Sequence, residues 1–199
     1  MDTETMVEEL QELIADLARE RVRAGEEDGD GLEIRLDLDP DGQVIATAAP
    51  APPATEAEIA QAEAALGRPY PPELRALLGV ANGFPGYFYG DTLLGTSGVG
   101  TAGVAGYPAQ FPASIWGIAR EYIDEWYAAE VGRLEFSPED PLDCIPLASD
   151  PDASGAAFVV AGSGPGWDAG TVVELEGGVH RYENVREYLR ARLALVREA

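Results

Sequence analysis

Residues 66 to 84 read LGRPYPPELRALLGVANGF, and the organisation of the chain turns on this stretch. Three prolines, Pro69, Pro71 and Pro72, fall within four positions. Pro69 drives Arg68 out of the helical region. Pro71 and Pro72 suit the opening of a helix, where a missing N–H leaves no intrahelical acceptor unmatched. Leu74, Leu77, Leu78 and Ala81 then recur at helical spacing and make one apolar face. Asn82 and Gly83 tolerate the left-handed backbone that ends a helix. Upstream, Thr55 and Glu58 have the spacing of a capping box, Ile59, Ala62 and Leu66 line one face, and Gly67 is a stop. The stretch is therefore predicted to be the rigid corner of a helical hairpin, with Pro72 in the first turn of its second helix and Gly83 left-handed.

Working outward toward the N-terminus, PAPPA (50–54) is a stiff connector. Before it, LEIRLDL (32–38) alternates strictly, DPDG is a turn, and QVIATAA (43–49) returns as the second strand of a hairpin, available to extend a larger sheet. Residues 5–22 read as an amphipathic helix, with Thr5 and Glu8 at capping-box spacing and Val7, Leu10, Ile14 and Leu17 on one face. The sequence AGEEDGDG then breaks the pattern. Toward the C-terminus, strands are predicted near GYFYG and DTLLG, and a helix over 114–130 with Ile115, Ile118, Tyr122, Trp126 and Ala129 in a stripe. CIPLAS and AAFVVA flank the turn DPDASG. TVVEL and VHRY form a hairpin through Gly177-Gly178, and Asn184 caps a last helix, VREYLRARLALV. No internal repeat is present. The fold class expected is α+β: an antiparallel or mixed sheet flanked by helices, with an N-terminal helix and β-hairpin extension.

The 199 residues carry 36 acidic and 13 basic side chains, a net charge of −23, and every basic residue is arginine. This balance excludes a general nucleic-acid binder, which needs clustered cations to neutralise phosphate. It is compatible with attraction to a basic protein and equally with plain solubility. No apolar run approaches the roughly 20 residues of a membrane span, and the acidic N-terminus lacks a secretory pattern, so a cytoplasmic location is the default. One cysteine, Cys144, and one histidine, His180, make neither an internal disulfide nor a typical zinc site. A Cys144–His180 catalytic pair is formally open, but Cys144 lies in an apolar strand-like run, where a buried structural thiol is the better reading.

GVGTAG (98–103) satisfies G-x-G-x-x-G, but Pro108 and Pro112 follow where a dinucleotide loop needs a helix, so a surface loop is the preferred reading. GSGPGWDAG (162–170) is likewise a loop, because Ser163 has no following helix. No cofactor and no metal is expected. Carboxylates are frequent enough that a pair at hydrolase-like separation would arise by chance. Residues 120–143 hold eight acids against two arginines, a net −6. Glu121, Asp124 and Glu125 there form either a solvated helix face or a docking face for a basic partner. In FPGYFYGD (84–91), Tyr87 and Tyr89 alternate with Phe88, so one set is expected to face in and the other out. Tyr87, Tyr89 and Asp91 are thus candidate protein contacts, alongside the plainer reading of a half-buried strand.

TEAEIAQAEAALGRPYPPELRALLGVANGF resembles the N-terminal signature of the SUKH superfamily, which includes fungal cell-wall assembly regulators and bacterial immunity proteins. The match rests on Leu66, Gly67, Pro71, Pro72, Leu74, Leu77, Leu78, Asn82 and Gly83. IPLASDPDASGAAFVV (145–160) is similar to the second hallmark, a strand, a polar turn with glycine, and another strand, although Gly155 here precedes two alanines where the family often has a polar residue. The resemblance covers about 55 to 195. It implies a SUKH-like domain at 55–199, preceded by an extension of helix, hairpin and connector at 1–54. It also implies a binding domain and no enzyme. The first reading is a bacterial immunity protein that neutralises a cognate toxin, such as a nuclease. An intracellular scaffold or regulator is the alternative, and a carboxylate hydrolase the rival from another class. The expected partner is a protein, such as a basic toxin domain, with no nucleic acid, no membrane and a monomer as the default state.

Overall fold

The computed structural model describes residues 2–28, 35–38, 44–47, 50–88, 91–96, 144–149, 155–162, 168–176 and 178–198. Among these, four helices and two sheets are found. Helix α1 spans Thr3–Asp28, strands β1 (Arg35–Leu38) and β2 (Val44–Thr47) follow, and α2 (Glu56–Leu66) and α3 (Pro72–Val80) form the helical hairpin. The main sheet is built from β3 (Phe84–Phe88), β4 (Asp91–Leu93), β5 (Cys144–Ser149), β6 (Ala156–Val160), β7 (Val172–Leu175) and β8 (Val179–Tyr182), and α4 (Val185–Glu198) ends the fold. The six strands lie in chain order and every neighbouring pair is antiparallel. The class is α+β, and the open choice between an antiparallel and a mixed sheet resolves to antiparallel.

Each predicted start and stop has a physical counterpart in the hairpin. Thr55 is extended, its Oγ1 accepts from the Glu58 N–H, and the Glu58 side chain accepts from the Thr55 N–H, which completes the capping box. Gly67 has φ 72°. It donates to the Ala64 carbonyl, and Arg68 donates to that of Glu63, the paired bonds of a Schellman terminus. Pro72 is the first residue of α3, with Pro71 as an extended N-cap. Gly83 has φ 101°, but it does not cap the helix. Helix α3 ends at an extended Ala81, two residues earlier, and Gly83 turns the chain into β3.

The N-terminal extension departs from expectation in three ways. Helix α1 is capped by Asp2, whose carboxylate accepts from the Thr5 N–H and hydroxyl, so Thr5 is not the cap. The helix runs on to Asp28 through Gly25, because Ala and Glu favour helix and a single glycine costs only about 1 kcal/mol. The hairpin of β1 and β2 pairs as expected but forms a separate two-stranded sheet and does not extend the main one.

One hydrophobic cluster joins the helices to one face of the main sheet. Leu10, Ile14 and Leu17 of α1, Ile59 of α2, Leu74, Leu77 and Leu78 of α3, and Tyr188 and Leu189 of α4 pack with Phe84, Ile145, Leu147, Val159 and Val172 from the strands. Each fully buried aliphatic side chain contributes about 1.5–3 kcal/mol. The core is therefore continuous across residue 54. Helices α1 and α4 run in the same direction, since Glu9 pairs with Arg186 and Arg190 while Asp16 and Glu20 pair with Arg197.

Candidate protein-interaction site

The corner of the hairpin is held by side chains as well as by prolines. Glu63 accepts from the Tyr70 N–H at 2.9 Å and pairs with Arg75, which also reaches Glu56. Burial raises the Glu63 pKa, but these hydrogen bonds outweigh it and hold the carboxyl below its usual range. Asn82 and Gly83 act as a clasp. The Asn82 N–H donates to Pro52 O, its Oδ1 accepts from the Thr96 N–H at 2.7 Å, and Gly83 O accepts from the Ala51 N–H. One dipeptide thereby fixes the proline connector and the exit of β4. The Leu94 N–H donates to the Leu147 carbonyl, so the chain just past β4 still runs beside β5.

At the other end of the sheet lies a buried polar hub. Glu174 shares its face of β7 with the core residue Val172. It pairs with Arg192 of α4, the two side chains being 5% and 4% exposed. Glu174 also accepts from the Tyr182 hydroxyl at 2.8 Å, and Arg192 reaches the half-exposed Glu176 at 3.0 Å. The guanidinium lies 4.3 Å from the Phe88 ring centroid and 5.3 Å from that of Tyr188. The Tyr188 and Tyr87 hydroxyls are hydrogen-bonded to each other, and Tyr182 meets Tyr188 edge-on. A lone buried charge would be costly; here a carboxylate partner and two ring faces offset that cost. Burial pushes the Tyr87 and Tyr188 hydroxyls well above their usual pKa, and it is also the main cause that lowers that of Arg192. The hub thus holds neutral phenols around a neutralised cation, an arrangement that locks α4 to β7 and β3.

The candidate contacts fall in different places. Tyr87 is fully buried, which removes it from the exposed set. The pairing of β3 with β4 shifts register between Phe84 and Phe88, so strict alternation fails and Tyr87 and Phe88 are both core residues. Asp91 is half-buried at the start of β4, opposite Phe88. Tyr89, Glu121, Asp124 and Glu125 lie outside the described residues, as do the helix expected at 114–130 and the GVGTAG loop. The Arg192–Glu174 pair was not singled out from sequence, although a signal existed. Arg192 falls on the apolar helical period of Tyr188, Leu189 and Val196, and Glu174 falls two residues from Val172 on the inward face. A charge at a core position on each of two neighbouring elements is the mark of a buried ion pair.

Among the described residues, no group of three or more His, Cys, Asp or Glu side chains could hold a metal ion, and no helix is long and apolar enough to cross a membrane. A family model described as SMI1 / KNR4 family (SUKH-1) matches residues 53–190, more than two thirds of the chain. The domains it describes are protein-interaction modules, and the match supports a non-catalytic one. No curated protein matches the chain.

Proposed function

Because this chain belongs to the SMI1/KNR4 (SUKH-1) family, we propose that it is a bacterial immunity protein that binds and neutralises a basic toxin domain, a nuclease being the leading class. The observation that carries this reading is the lopsided charge. The chain is net −23, and residues 120–143 alone are net −6, whereas 181–199 is net +2. A nuclease must present clustered cations to hold phosphate, so an acidic surface competes for the same cations and speeds encounter. Glu121, Asp124 and Glu125 are the proposed steering carboxylates, with Tyr89 and Asp91 as further proposed contacts.

Co-expression tests the reading. The tagged chain is produced together with the products of the genes that flank its own, each in turn. The expected result is a stable complex and restored growth of the host. Growth arrest without complex formation contradicts the immunity assignment.

A further inference from the structure

The main sheet buries both of its faces. Ile145, Leu147, Val159 and Val172 belong to the cluster that joins one face to the helices. Phe158 alternates with Val159, and the register sets it beside Pro146 of β5 and Val173 of β7, so these three share the other face. Val160 follows Phe158 there, and Leu94 alternates with Leu93, a residue of the helix-side cluster. Leu94, Phe158, Val160 and Val173 are each no more than 6% exposed, and Pro146 is buried, yet none of the five belongs to the helix-side cluster.

Burial to this degree requires a cover. Helices α1 to α4 pack on the opposite face, and the β1–β2 hairpin lies against α1. Of the stretches outside the described residues, 97–143 is the longest, and every other is six residues or fewer. It connects β4 to β5, two neighbouring strands of this sheet. It also carries the apolar stripe Ile115, Ile118, Tyr122, Trp126 and Ala129. A helix over 114–130 is about 25 Å long, and six strands side by side are about 24 Å wide. At about 100° per residue, Asp124 falls opposite the stripe, Glu121 on the same outer half and Glu125 at its margin.

We infer that residues 114–130 lie as a helix across this second face, with the apolar stripe on Phe158, Val160 and Val173 and with Glu121 and Asp124 turned to solvent as a docking face for a basic protein. The choice of a basic partner rests on the function proposed above; the seating of the segment does not. Recognition then takes place on the side of the sheet away from α1 to α4.

Urea unfolding of the full chain, followed by the ellipticity of the sheet, reads the seating. Tyr122 is the middle residue of the stripe, and Phe158 is the middle residue of β6. Tyr122→Ala and Phe158→Ala should each lower the midpoint. The double variant should lose less than the two singles together, because residues in contact do not act independently. Glu121→Lys/Asp124→Lys, on the outer side, should leave the midpoint unchanged. If an alanine variant does not fold, Tyr122→Leu and Phe158→Leu form the same cycle with smaller losses. A wild-type midpoint for Tyr122→Ala, an additive double variant, or a charge reversal as destabilising as Tyr122→Ala each overturns the seating. Capture of a partner by co-expression together with an additive cycle strikes the placement alone. A coupled cycle with no partner captured strikes the immunity reading alone.

Discussion

Gly83 meets two demands at once. Its φ is 101°, and a Cβ there would stand 3.1 Å from the Gly95 nitrogen and 3.2 Å from the Leu93 carbonyl oxygen. Gly83→Val should therefore destabilise the fold by about 1–3 kcal/mol, as strain adds to displacement of β4, and urea denaturation measures it. Gly95 is the reciprocal position, where a Cβ would fall inside contact distance of the Asn82 carbonyl. The two glycines let the clasp close, which explains why the helix stop is marked so sharply in the sequence. The phenols of the hub give a second prediction at this scale. Burial raises the pKa of Tyr87 and Tyr188 in the folded state, so they stabilise the fold fully below the ordinary tyrosine value near 10, and that contribution is lost as pH rises toward the folded values. Tyr70, also buried, is pushed up to about 12. Ultraviolet titration of the tyrosinate band should show these three ionising only as the protein unfolds, above the value near 10 of a free phenol.

At the level of elements, helix ends were the most legible part of the sequence. The Thr55 cap, the Gly67 stop and the Pro72 start depend on contacts within four residues, so their chemistry is written locally. Thr55→Ala should cost about 1 kcal/mol and lower the thermal midpoint, measurable by calorimetry. The six strands of the main sheet were likewise readable where period and turn residues agreed, as in the β7–β8 hairpin. The register shift in β3 was not readable, because it depends on how β4 pairs, and alternation alone put Tyr87 and Phe88 on opposite faces, whereas both are buried. The end of α1 was misjudged because one glycine costs only about 1 kcal/mol, too little to stop a helix whose neighbouring residues favour it. The hub ties elements together through charge. Arg192→Met leaves Glu174 buried without its partner and should cost about 3–5 kcal/mol by chemical denaturation. Adding Glu174→Leu removes the stranded carboxylate and should return most of that loss. A double variant as unstable as the single would mean that the aromatic contacts of Arg192, not its charge, hold α4.

For the whole molecule, the decisive property is the uneven charge laid over an α+β scaffold. Family and fold class were legible because the helical hairpin carries a spaced set of glycines, prolines and leucines that few folds require together. The recognition surface was less legible, since acidic residues are so common here that their density does not separate a docking face from a soluble one. Kinetics can make that separation. Steering by charge acts on association and fades when salt shortens the screening length to roughly 3 Å near 1 M, whereas packed contacts govern dissociation. The most direct measurement is the association rate of the partner captured by co-expression with the wild-type chain and with an Asp124→Lys/Glu125→Lys variant, at low salt and near 1 M. The account predicts markedly slower association of the variant at low salt and near-equal rates at high salt. Equal association rates at low salt would contradict it.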